Sequence, residues 1–61
     1  MTPKQKSLVW IANHWLKQHH EKPGIQDCLS AVHQVVATVL FSATRTDQRI
    51  ATRELLRRYG Y

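Results

Sequence analysis

The sequence predicts a small, mainly α protein, a bundle of two to three amphipathic helices completed by a second copy of itself. Three observations carry that expectation. Apolar residues recur at spacings of three and four through most of the 61-residue chain. Two breaks, Pro23-Gly24 and the polar stretch Ser42-Ala43-Thr44-Arg45-Thr46, divide it into helix-length segments. A chain this short also buries only about 60% of the surface that its unfolded form exposes, so it gains from an added subunit. The alternative staple, an intrachain disulfide, is excluded because Cys28 is the only cysteine.

The first segment reads as a helix from about residue 3 to 20. Thr2 can cap it, Pro3 suits the first helical position, and Gln5 completes a capping-box pattern. At about 100° per residue, Leu8, Ile11, Ala12, Trp15, Leu16 and His19 share one face. Trp10 falls on the opposite side, with Lys6, His14 and Lys17 around it.

The second segment, 26 to 41, carries a stripe of Ile25, Leu29, Val32, Val36 and Val39, flanked by Cys28, Val35 and Leu40. Gln26, Asp27, Ser30, His33 and Gln34 lie opposite. Period and length favour a helix, and Leu29, Val32, Val36 and Val39 are the expected homodimer interface. The run Val35-Val36-Ala37-Thr38-Val39-Leu40-Phe41 is also a strong strand sequence. A strand over 35 to 41 would need a partner for its edge.

The third segment, about 47 to 59, is capped in this reading by Thr46, with Asp47 in the favourable first turn and Gly60 as a stop. Ala51, Thr52, Leu55, Leu56 and Tyr59 form its apolar face. One domain, residues 1–61, accounts for the whole sequence.

The residues present argue against catalysis. The four acids, Glu21, Asp27, Asp47 and Glu54, form no general acid and base pair, and the two glycines form no phosphate-cradling loop. Ser7, Ser30 and Ser42 lack the surroundings of an activated nucleophile, and Cys28 beside the apolar stripe reads as a packed thiol. His14 with His19, and Cys28 with His33, point about 140° apart on a helix, which is poor geometry for a shared zinc. No cofactor, metal or catalytic residue is expected. The apolar runs are too short for a signal peptide or a bilayer span, so a soluble, cytoplasmic protein with no membrane partner is expected.

Charge narrows the partner. The net charge is +5 and the pI near 10, which favours an acidic protein or nucleic acid. Arg45, Arg49, Arg53 and Arg57 recur every four residues, and Ile50 falls within that basic face. Such a stripe is either a contact surface suited to carboxylates and phosphates or an ordinary solvated face. Arg58 can pair with Glu54. Helix, Pro23-Gly24 turn and second helix suggest a helix-turn-helix, yet the second helix offers no Lys or Arg for phosphates. Arg49, Ile50, Arg53 and Arg57, with the off-face Trp10, are the candidate partner-binding residues. Trp10 reads either as a binding hot spot or as packing in a dimer seam or against the third helix.

The Met1-Thr2-Pro3-Lys4 start, the basic helical body and the ending Arg57-Arg58-Tyr59-Gly60-Tyr61 give the chain its general character. In that character it resembles the short early-region accessory proteins of temperate lambdoid phages. The resemblance implies a dispensable regulator in the host cytoplasm that binds a host or phage macromolecule, and it assigns no residue roles. The expected function is therefore a non-catalytic regulatory binding protein, a homodimer acting on a protein. The alternative is a nucleic-acid binder using the arginine-rich third helix.

Overall fold

The computed structural model describes residues 1–61 and contains three helices and no strand: α1 (Pro3–His19), α2 (Ile25–Thr38) and α3 (Arg45–Arg58). The mainly α reading holds, and each helix has an identifiable start. At α1 the Gln5 backbone N–H donates to Thr2 Oγ1 (3.2 Å) while the Thr2 N–H donates to Gln5 Oε1 (3.1 Å). A cap of this kind is worth about 1 kcal/mol. Gly24 caps α2 and has no side chain to offer, so Asp27 supplies the bond instead, its Oδ2 accepting from the Gly24 N–H at 2.8 Å.

The third helix begins two residues before the position expected from sequence. Thr44, not Thr46, is its cap: Thr44 Oγ1 accepts from the Asp47 N–H, and Asp47 Oδ2 accepts from the Thr44 N–H, both at 3.1 Å. Thr46 has Arg49 three residues on, which has no acceptor to return, so only Thr44 closes the reciprocal pair. At the other end, Gly60 (φ +84°) turns the chain left-handed. The Tyr61 N–H then donates to the Leu56 carbonyl (2.9 Å) and the Gly60 N–H to that of Arg57 (3.2 Å), the Schellman pattern.

The second helix corrects two expectations. It stops at Thr38 rather than 41, and no strand forms over 35–41. Helical backbone satisfies its own polar groups, whereas a strand here has no neighbour to pair with. The buried face is Cys28, Ala31, Val32 and Val35, turned about 70° from the valine stripe at ~100° per residue. Ile25, Leu29 and Val39 are left at the surface.

The core joins these four residues to Leu8, Val9, Ala12 and Leu16 of α1 and Ala51 and Leu55 of α3. Each helix contributes one fully buried alanine, Ala12, Ala31 or Ala51, small enough to let the helices approach closely. Ile11, Trp15, Val36, Phe41, Leu56 and Tyr59 pack around this centre, while His19, expected on the inner face of α1, is exposed.

Three side-chain bonds fix the helices to one another. Gln5 Nε2 donates to Asp47 Oδ1 (2.9 Å), Tyr59 Oη to Asn13 Oδ1, and Tyr61 Oη to the Pro23 carbonyl (3.1 Å). Gln5 to Asp47 and Asn13 to Tyr59 run in the same order, so α1 and α3 point the same way and α2 returns. The radius of gyration, 10.2 Å, matches the ~10.5 Å of a compact chain of this length. One chain thus assembles a buried core of ten residues from all three helices. No helix is long and apolar enough to cross a membrane.

Candidate functional site: a basic groove between the second and third helices

α1 supplies the packing on one side of the α2/α3 pair. Away from it, the pair leaves a groove of about 790 Å³ to which α1 contributes no residue. The apolar lining comes from both helices, Leu29 and Val32 on α2 and Ile50 and Leu56 on α3. Along the rim stand His33, Arg45, Arg49 and Arg53, with Thr46, Gln48 and Thr52 between them. No carboxylate lines it.

The rim arginines follow from the early start of α3. Thr44 as cap puts Arg45 inside the helix, so Arg45, Arg49 and Arg53 recur along one side at a rise of about 6 Å per four residues. None of the three takes part in an ion pair; Arg57 and Arg58 pair with Glu54, and His20 Nε2 lies 3.5 Å from Asp27 Oδ1. Their charge is left for something else. Bidentate guanidinium forks above an apolar floor can hold carboxylates while the floor takes up hydrocarbon.

Arg57 behaves differently. Its Nη2 donates to Glu54 Oε1 and Oε2 at 3.0 and 2.9 Å, and Arg58 Nε adds a 3.4 Å bond to the same carboxylate. The Arg57 hydrogen bonds, joined by the two positive charges, hold the Glu54 carboxyl below its ordinary range despite some desolvation. The expected Arg58–Glu54 pair is present, but Arg57 is drawn into it as well. It lines a smaller depression of about 290 Å³ with Met1, Ile50, Arg53 and Glu54. Ile50 and Arg53 wall both depressions.

The remaining candidate residues divide. Of the four expected to join two copies, Val32 is 1% exposed and Val36 packs against the core. The rotation of α2 thus buries Val32 and half-buries Val36 against the core, which interrupts the stripe at the surface. Leu29 (39% exposed) enters the groove, and Val39 (57%) caps the end of α2. Trp10 is 69% exposed and stacked on His14, ring centres 6.0 Å apart and nearly parallel. It does not pack against α3 and does not line the groove. The fold thus brings Arg49, Ile50 and Arg53 together with Leu29 and leaves Trp10 apart.

No protein-family model, no curated protein and no solved structure matches this chain.

Sequence reasoning passed over His33, Gln48 and Leu56 as groove residues, and it counted Arg45 in the repeat without choosing it as a contact. His33 was detectable as the residue one turn beyond Leu29. The histidines and Cys28 do not converge: no three His, Cys, Asp or Glu side chains gather into a group that would hold a metal ion. Cys28 is fully buried, and burial, with the neighbouring Asp27 charge, raises its thiol pKa. His19 and His20 lie tilted against Trp15, with ring centres 4.3 and 6.2 Å away and ring planes 36° and 53° apart.

Proposed function

We propose that this chain is a non-catalytic regulatory binding protein, of the kind the phage early-region resemblance implies, and that it acts by docking an acidic host or phage protein in the α2/α3 groove. One observation carries this reading: three arginines without ion-pair partners border an apolar floor in a groove free of carboxylates. A solvated charge stripe does not need such a floor. The test is capture from nuclease-treated bacterial lysate on immobilised wild type, Ile50→Asp and Arg53→Glu. A protein retained by wild type and lost from both variants is the expected result. Capture unchanged by both substitutions, or capture that disappears with nuclease, overturns the reading.

The second reading, nucleic-acid binding through Arg45, Arg49 and Arg53, is favoured by the exposure of all three on one side of α3. Three phosphate contacts predict an affinity loss of about 40-fold between 50 and 200 mM salt. A duplex titration at those two concentrations measures it. No binding at the lower one removes this reading.

A further inference from the structure

We infer that the groove receives an amphipathic helix of the partner, apolar where it meets Leu29, Ile50 and Leu56 and acidic along the flank facing Arg45, Arg49 and Arg53. This rests on the protein-binding reading above and deepens it by naming the partner's form. The complex is then a four-helix bundle in which this chain supplies three helices.

Four physical arguments select that occupant. Charge comes first: with arginines and a histidine on the rim and no acid in the lining, the occupant carries carboxylates. Self-association in this groove is disfavoured for the same reason, because a two-fold pairing sets one arginine rim against the other. The floor decides next. No Trp, Tyr or Phe lines the groove and the one aromatic ring there is His33, so single-stranded bases find no row of stacking platforms, and duplex phosphates have no use for leucine and isoleucine. Backbone chemistry then separates helix from extended peptide. An extended segment between two helices meets no sheet edge, so its N–H and C=O groups lose water without gaining partners, whereas a helix satisfies them internally.

Spacing agrees with this. Arg45 to Arg53 spans eight residues, about 12 Å of helix, and a helix alongside presents Glu at i, i+4 and i+8 at the same period.

The test uses the full chain and three probes: an 18-residue peptide with leucines on one helical face and glutamates on its flanks, a scrambled peptide of the same composition, and a DNA duplex. Binding is followed by fluorescence anisotropy at 150 mM salt, peptide helicity by circular dichroism, and the contact by amide shifts. The patterned peptide is expected to bind at least about tenfold more tightly than the scrambled one, to gain helicity, and to shift Leu29, Ile50 and Leu56. Ile50→Asp and Arg53→Glu should each weaken it by about tenfold or more, and Trp10→Ala should leave it unchanged. Equal binding of the two peptides, absence of helicity gain, shifts confined elsewhere, or preference for the duplex overturns the helix inference. If lysate capture by the groove still succeeds in that case, the protein-binding reading stands without it; if capture fails too, both fall.

Discussion

Leu40 occupies a backbone conformation that leucine disfavours. Its φ is +56°, and 84% of the residue is exposed at the end of α2. A Cβ in the left-handed region costs roughly 1–2 kcal/mol, a penalty glycine escapes. Glycine gives back about 0.5–1 kcal/mol through the greater freedom of its unfolded chain. Comparison of Leu40→Gly with Leu40→Ala removes most of the side-chain contact term, since both lose the isopropyl group beyond Cβ and alanine keeps the clashing Cβ. The glycine variant should therefore be more stable than the alanine variant by about 0.75 kcal/mol, the difference of the two midpoints. In a domain of this size that separates the two melting temperatures by about 3–6 °C. Thermal melts by circular dichroism, supported by urea unfolding, measure the difference. An alanine variant as stable as the glycine one, or more so, refutes the left-handed assignment and with it the account of how α2 ends.

Other perturbations follow from the same contacts. Asp47 is held below its ordinary pKa, first by the Gln5 hydrogen bond and then by the Thr44 backbone, and Glu54 is lowered mainly by Arg57. Both carboxyls bind protons less readily folded than unfolded, so their stabilisation is complete above the unfolded values near ~4 and fades as pH falls through the lower folded ones. Melting temperature should accordingly drop on acidification below about pH 4, and Asp47→Asn with Glu54→Gln should flatten that limb. Leu55→Ala, at a fully buried site on α3, should cost about 2–5 kcal/mol; a smaller loss in denaturant titration would mean the core closes over the gap. The Cys28 thiol should resist a disulfide-exchange reagent until the chain is unfolded, and rapid labelling in native buffer would contradict its burial.

The mainly α class, the α1 cap, the Gly60 stop and the Glu54–Arg58 pair were legible in sequence, because each depends on residues within one or two turns. The face of α2 was not. Its valine stripe and the Cys28–Ala31–Val32–Val35 row are adjacent and both largely apolar, so periodicity alone admits either. The choice falls to α1 and α3, whose Ala12 and Ala51 share the buried core with Ala31. The end of α2 was hidden for a related reason: Val39-Leu40-Phe41 continues the apolar run, and the stop is a backbone turn with no glycine to announce it. Thr44 and Thr46 were equal as single caps, and only reciprocity with Asp47 separates them. The groove lay furthest out of reach. Leu29 and Arg49 line one groove only once two helices are docked, so the valine stripe of α2 and the arginine repeat of α3 looked like separate surfaces.

The hydrogen bond from Gln5 to Asp47 joins two caps that lie 42 residues apart in the chain. Each of these side chains closes the first turn of its own helix and also holds the other. Fraying of either turn strips the other of a partner, so the beginnings of α1 and α3 open as one unit rather than two. Tyr61 ties the opposite end in the same way, holding the turn between α1 and α2 through Pro23. Amide protons at the two ends should then exchange in correlated sets, and the slowest should lie midway, around Ala12, Ala31 and Ala51.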